Sequence, residues 1–536
     1  MTMSTNPESD KDHGEVGAAT SAGWEPELEE LRRRQRFVAE MGGPEKVARH
    51  HGQGKLTVRE RVDGLLDPGT FHEIGSVTGV ATYDEDGGLT GLRPANFIYG
   101  RGDLDGRRVV VEGDDFTVRG GAADASIWDK MVAAEQMARE LRLPLVRLVD
   151  GTGGGGSVKT IETEGRTYVS QAIGWQHAVA NLATVPVIGL GLGSIAGLGS
   201  ARLVTSHYSV LVRGTSQVFV AGPPVVARIG ETVDKEELGR ADMHAGIGAV
   251  DAVVDSEADA FAHARRFLSY LPQSVHELPP RGPVDDDPAR REDWLIRAIP
   301  RDRRKVYRMR PIIEAVVDRG SFFEIGKAWG RSLITGFARL DGWPVAVVAA
   351  DPYFYGGAWT ADASLKMTRF AELAETFHLP VVHLVDIPGF LIGTQAERSG
   401  TIRHGARALA SVFQTTVPWC SIIVRKCFGV AGAAHMNTDR LRYRYAWPSA
   451  DWGSLPVEGG IEAAYKADLE AAEDREAALK DIEERLELAR SPFRTAETYW
   501  VEEIIDPRDT RRLLCEFANL AAPLRESGPS RFTYRP

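Results

Sequence analysis

A chain of 536 residues has room for two domains of about 200 to 250 residues, because single hydrophobic cores stop growing near 250 to 300. Its 64 Lys and Arg stand against 75 Asp and Glu, a formal balance of −11, which disfavours a surface that tracks nucleic-acid phosphates. The three cysteines, Cys420, Cys427 and Cys515, are too few and too scattered for a disulfide framework or a zinc site, so the chain reads as reduced and cytoplasmic, with no metal.

The opening MTMSTNPESDKDHGEVGAATSAG has no apolar h-region and is acidic where a transit peptide is basic. Residues 1–25 are therefore expected to form a disordered tail. Residues 182–201 are uncharged and long enough to span a bilayer, but five are glycine and one is proline. A buried strand with a glycine turn fits that pattern better than a membrane helix.

Sliding the chain along itself reveals an internal repeat. At an offset of 236, LDG at 104–106 falls on LDG at 340–342, Val109 and Val111 on Val345 and Val347, and Gly120-Gly121 on Gly356-Gly357. Nine of the 21 positions from Lys130 to Asp150 are identical to those from Lys366 to Asp386. DPGTFHEIG ending at Gly75 answers DRGSFFEIG ending at Gly326, and TVP ending at Pro186 answers TVP ending at Pro418. Small changes of loop length account for the altered offsets.

Each half shows the same order of elements. RRVVVEG or WPVAVVAA reads as a strand, and the next segment has helical apolar spacing, with Met131, Ala134, Met137, Ala138 and Leu141. A short apolar run then ends in Asp, as in LPLVRLVDGTGGGG or LPVVHLVDIPGF, and leads to another helix and the buried strand of ATVPVIGLGLG or TTVPWCSIIVRKCFG. This is α/β layering with helices over a buried sheet. The composition break at 278–294, LPPRGPVDDDPARREDW, divides the chain into an N-terminal domain over 26–280, a linker over 281–298 and a C-terminal domain over 299–536.

In both halves a strand runs into Gly-rich backbone that opens a helix: LGSIAGLGSARL at 192–203 and FGVAGAAHMN at 428–437. Unpaired N–H groups converge at such points and stabilise an anion, so two of them imply two oxyanions. The alternative is that these glycines only permit close helix-to-sheet packing. Gly191, Gly193 and Ala196 fit the dinucleotide pattern GxGxxA, yet the segment about 20 residues on, VRGTSQVFVAG, lacks the acidic residue that would hold a ribose. There is no GxSxG, P-loop or HExxH motif. His207 and His435 adjoin the glycine segments and read as packing residues more readily than as acid/base groups. Lys366-Met367 matches the form of a biotinylation site, but its helical context and the equivalent Lys130-Met131 make it structural.

Over nearly the whole chain the sequence resembles the carboxyltransferase (beta) subunit of biotin-dependent acyl-CoA carboxylases, the group that includes propionyl-CoA and methylcrotonyl-CoA carboxylases. The resemblance is carried by GKLTVRERVDGLLDPGTFHEIG, DDFTVRGGAADA, TSQVFVAGPPVV, EELGRADMHAGIGAVD, GFARLDGWPVAVVA, LVDIPGFLIGTQAERSGTIRHGARAL, YAWPSA and AETYWVEEIIDPRDTRRLL. It implies a tandem duplication of the crotonase (ClpP-like) superfold. It also implies a homohexamer with each active site between the N-domain of one subunit and the C-domain of another. The N-domain would bind an acyl-CoA thioester, and the C-domain would receive carboxybiotin from a separate biotin-bearing partner, a biotin carboxylase or carboxyl carrier subunit.

The family mechanism gives each glycine segment an oxygen. Carboxybiotin yields CO2 and a ureido anion, the anion removes the α-proton, and the thioester enolate attacks CO2. The thioester oxygen would be held by amides at Gly197, Leu198 and Gly199, beside Ala196, and the ureido oxygen by amides at Val430, Ala431 and Gly432. No side-chain base is needed. The loop GTGGGGSVKT at 151–160 would contact the CoA through Gly153, Gly154 and Gly155, with Lys159 near a phosphate. This chain departs from the family where AGLG stands for the usual AGGA, FGVAGAAH for FGGAY or FGAGN, and SADWGSLPVEGGIEAAY for the usual acyl-pocket segment. Two alternatives stay open: decarboxylation of a malonyl-type CoA, and a noncatalytic acyl-CoA-binding assembly subunit.

Overall fold

The computed structural model describes all residues except 1–22, 123–126, 152–160, 163, 164, 168, 170, 457–459, 462, 463, 532 and 533. The expected tail therefore lies almost wholly outside the described residues, and the first helix begins at Glu25.

The first half contributes strands β1 (His72–Glu73), β2 (Gly79–Tyr83), β3 (Leu89–Pro94), β4 (Phe97–Leu104), β5 (Arg107–Asp114), β6 (Leu145–Val149), β7 (Val187–Gly191), β8 (Ser194–Ala196), β9 (Tyr208–Val212), β10 (Gln217–Phe219) and β11 (Ala252–Val254). Its main sheet has the order β1-β4-β5-β6-β7-β9-β11. The β1–β4–β5 edge is antiparallel, and every pairing from β5 to β11 is parallel.

The second half repeats this plan with β12 (Phe323–Ile325), β13 (Leu333–Leu340), β14 (Trp343–Ala350), β15 (Val381–Ile387), β16 (Trp419–Phe428), β17 (Tyr443–Ala446), β18 (Asp451–Gly453) and β19 (Glu503–Ile504). The order is β12-β13-β14-β15-β16-β17-β19, with β18 beside the end of β16. Again the first two pairings are antiparallel and the others parallel. β6 and β15 are buried along their whole length, as expected of parallel strands covered on both faces.

The repeat extends to backbone strain and to single contacts. Left-handed φ recurs at Asp105 and Asp341, at Arg119 and Tyr355, at Gly120 and Gly356, and at Arg142 and His378. The last pair ends the helices Trp128–Leu141 and Ala361–Thr376, each just before a proline that cannot continue a helix. Lys130 Nζ donates to Gly75 O at 3.0 Å and Lys366 Nζ to Gly326 O at 2.9 Å. Arg59 pairs with Glu73 at 2.9 Å and Arg310 with Glu324 at 2.6 Å.

One hydrophobic cluster crosses from half to half. Phe267 lies 5.6 Å from Phe337, and Tyr270 5.7 Å from the same ring. Arg369 of the second half reaches Asp251 of the first at 2.6 Å and donates to Tyr534 Oη, also at 2.6 Å. Tyr534 is buried 4.6 Å from the His207 ring. The segment 281–298 follows the second half: Gly282 N–H donates to Gly342 O, Arg290 to Ala315 O and Val317 O, and Leu295 is buried in that half's core.

Candidate active site

Residues 182–201 form no membrane helix; they supply the buried strand β7, the short β8 and the turn into the helix Leu198–Val204. Gly197 makes that turn at φ 59 and ψ −120, a conformation costly for any residue with a Cβ. The Ala196 N–H donates to Gly151 O and the Gly197 N–H to Phe219 O, both at 3.2 Å. Among the described residues nothing accepts from the N–H groups of Leu198 and Gly199. The expected set is thereby narrowed: Leu198 and Gly199 present donors, whereas the amides of Gly197 and Ala196 hold the turn. Gly153, Gly154, Gly155 and Lys159 lie outside the described residues.

A buried charge network fixes this turn from beneath. Thr57 and Glu60 form a capping box that starts the helix Val58–Leu65. That helix delivers Arg61, fully buried, whose guanidinium donates to Leu192 O at 2.8 Å, to Asp150 at 2.9 Å and to Glu257 at 2.8 Å. Lys55 Nζ binds Asp150 at 2.8 Å and lies 4.4 Å from the centre of the Phe116 ring. Burial depresses the Lys55 ammonium and holds the neighbouring His50 imidazole at about 4. Losing one partner from such a cluster costs about 3 to 5 kcal/mol, because it strands a charge away from water.

The second half builds an equivalent turn. β16 ends at Phe428, Gly429 takes φ 61, and the helix Gly429–Ala433 follows. Gly429-Val430-Ala431 thus occupies the place of Gly197-Leu198-Gly199, and among the described residues nothing accepts from the Val430 and Ala431 N–H groups. Gly432, the third expected donor, sits further in: its carbonyl accepts from His435 Nδ1 at 2.7 Å, and a Cβ there would lie 2.8 Å from the Cys427 backbone. The expected frame is therefore shifted by one residue, since the glycine that makes the turn is Gly429. Beneath it, Asp386 accepts from Arg425 at 2.9 Å, from Tyr307 Oη at 2.8 Å and from the Lys426 backbone N–H at 3.0 Å.

The other candidate side chains are structural. His207 Nδ1 accepts from Val187 N–H and Nε2 donates to Leu182 O, so its tautomer is fixed, and burial holds it at about 3. Burial keeps His435 at about 4 and pushes the Cys427 thiol to about 12, which leaves neither an acid/base nor a nucleophile at pH 7. Lys366 is buried and donates to the carbonyls of Gly326, Trp329 and Leu333, out of reach of a modifying enzyme. The GxGxxA match fails structurally, because β8 intervenes between Gly193 and the helix. The described residues contain no group of His, Cys, Asp and Glu able to hold a metal, and none of their helices is long and apolar enough to cross a membrane.

Two main-chain donor pairs stand at equivalent places in a duplicated α/β fold. The carboxyl transferase domain model matches residues 49–533. The chain belongs to the carboxyl transferase domain family. This carboxyltransferase is 33% identical over 516 residues to the propionyl-CoA carboxylase carboxyltransferase subunit of Haloferax mediterranei, covering 95% of this chain and 98% of the relative. It is 31% identical to the methylmalonyl-CoA decarboxylase subunit alpha of Veillonella parvula, over 91% of this chain and 94% of that one. Its fold superposes on a crystal structure of the transcarboxylase 12S hexamer with methylmalonyl-coenzyme A and methylmalonic acid bound. The TM-score is 0.85 at 29% identity, over 96% of this chain and 99% of that chain. The carboxyltransferase thus has the crotonase-type α/β fold, repeated in tandem.

Proposed function

We propose that this carboxyltransferase moves a carboxyl group between biotin on a separate carrier subunit and the α-carbon of an acyl-CoA. Residues 26–280 serve the acyl-CoA, residues 299–536 serve the biotin, and 281–298 join them. Each site forms in a homohexamer between the first half of one copy and the second half of another, in the cytoplasm, where the free thiols Cys420, Cys427 and Cys515 stay reduced. The observation that carries this reading is the pair of matched cradles, Leu198 with Gly199 and Val430 with Ala431, each led by a left-handed glycine.

The second cradle suits a ureido oxygen, since Phe428, the residue just before its turn, lines a cavity of about 680 Å³ together with Gly356 and Lys426. When bound, the carboxylated ureido ring supplies CO2 and, as the N–CO2 electron pair returns to the ring, a base for the α-proton. The chain's own work is electrostatic. Leu198 and Gly199 N–H groups hold the thioester oxygen as it takes up enolate charge. Val430 and Ala431 N–H groups hold the oxygen of the ring as it becomes negative. Preorganised donors of this kind are typically worth about 2.7 to 4 kcal/mol each in a dry site, and fixing CO2 beside the enolate supplies a further share through proximity.

The test is biotin-dependent decarboxylation by the purified chain. Malonyl-CoA, methylmalonyl-CoA and a longer 2-carboxyacyl-CoA are offered with free biotin as acceptor, and turnover with at least one is expected. CoA-ester binding without turnover, persisting after addition of the cognate biotin subunit, would instead establish a noncatalytic binding subunit. The similarity to a decarboxylase subunit keeps the decarboxylating direction as the second reading, and the equilibrium with the carrier decides it.

A further inference from the structure

The cavity beside the second cradle contains a cation that the reading above leaves unused. β16 presents Arg425, Lys426 and Phe428 to the cavity, and Gly356 lines it too. Arg425 is committed to Asp386 and to Lys305 O. The backbone N–H of Lys426 is held by Asp386 Oδ1 at 3.0 Å, which fixes where its side chain leaves the strand. Among the described residues no carboxylate or carbonyl takes the Lys426 ammonium.

The nearby acids have other cations. Asp451, the register partner of Lys426, is bound by Arg490 at 2.5 Å and by Arg303 at 3.6 Å. Glu487 is shared by the same two arginines at 3.2 and 3.3 Å, and Glu484 lies 3.8 Å from Lys480. Among the described residues two carboxylates line the cavity without an ion pair: Glu483, on the helix Arg475–Ala489, and Asp302, whose Oδ1 accepts from the Arg304 backbone N–H at 3.0 Å. An unpaired ammonium three residues before the turn glycine has the charge and the place to act on an anion in the cradle.

We infer that the Lys426 ammonium lies against the ureido ring and stabilises the negative charge that develops there as the carboxyl group leaves, alongside the Val430 and Ala431 N–H groups. It serves as an electrostatic catalytic residue, so its contribution grows in the transition state and raises kcat more than it tightens ground-state binding. This inference rests on the biotin reading of the second cradle.

The experiment compares wild-type enzyme with Lys426→Met and Lys426→Arg in biotin-dependent decarboxylation with free biotin, and measures the Kd of biocytin by equilibrium dialysis. Lys426→Met is expected to lower kcat on the order of 100-fold, with the biocytin Kd changed less than about threefold. Lys426→Arg, which keeps the charge, recovers a tenth or more of wild-type kcat. Because the ammonium holds no structural partner, melting temperature and hexamer elution stay at wild-type values. A Met variant within about threefold of wild-type kcat overturns the inference, as does a loss of biocytin binding as large as the loss of kcat. If the wild-type enzyme itself neither turns over nor binds biocytin, the biotin reading fails, a separate outcome.

Discussion

Gly197→Ala isolates what the first turn does. An added Cβ at Gly197 meets no atom within 4 Å, so the substitution introduces no clash, and its whole effect comes from φ 59 with ψ −120. Holding an L-residue there costs about 1 to 3 kcal/mol. The chain either keeps the turn and loses that much stability, or relaxes it and swings the Leu198 and Gly199 N–H groups away from the thioester oxygen they are proposed to hold. Losing the alignment of one donor is worth about 2.7 to 4 kcal/mol, a fall in kcat of about 100- to 1,000-fold. Gly199→Ala is the control, because its backbone is ordinary and its Cβ would meet the Ile195 side chain at 3.1 Å, Gly151 O at 3.5 Å and the Val149 side chain at 3.9 Å. The assay is kcat and KM for biotin-dependent decarboxylation, read beside the melting temperature. Gly197→Ala with wild-type kcat and an unchanged melting temperature would refute the assignment of a strained turn and remove the first cradle from the mechanism.

Three further outcomes follow from the buried groups. Lys366→Met should destabilise the enzyme by about 3 kcal/mol in chemical denaturation, because the carbonyls of Gly326, Trp329 and Leu333 lose their common donor; a change under 1 kcal/mol would contradict this. Stability should fall steeply as pH drops below 6.5. His50, His207, His383 and His435 are held neutral in the fold at about 4, 3, 3 and 4, so their contribution is complete above the unfolded pKa and is lost toward the folded values. Glu112, raised by burial to about 7, works in the opposite sense, leaving a net uptake of about three protons on unfolding at pH 5.5, or about 4 kcal/mol per pH unit. Calorimetry in buffers of different ionisation enthalpy measures that uptake, and release of protons would overturn it. Iodoacetamide at pH 7.5 should leave activity intact, because burial pushes Cys427 and Cys515 to about 12 and Cys420 well up; rapid inactivation would show a reactive thiol.

The duplication was legible in the sequence because identical residues mark positions where one backbone solution is reused: Lys130 and Lys366 under a left-handed glycine, Asp150 and Asp386 at the end of a buried strand. The donor frame of the second cradle was harder to read. FGVAGAAH offers two glycines, and only the backbone shows that Gly429 turns the chain while Gly432 packs on Cys427. A glycine directly after the last strand residue was the available signal. The network beneath the first cradle was not legible at all, since Lys55 and Asp150 stand 95 residues apart. The repeat gave no help there: Asp150 is held by Lys55 and Arg61 from an upstream segment, whereas Asp386 is held by Arg425 from the adjacent strand and by Tyr307.

The shared cluster of Phe267, Tyr270, Phe323 and Phe337, with Tyr534 set between His207 and Arg369, binds the two halves into a single inheritance. Either half produced alone would turn these rings to water, so the duplicated units can no longer be shuffled, swapped or shortened independently. A substitution at their seam is felt in both halves. Change in one half must therefore keep the surface on which the other half rests.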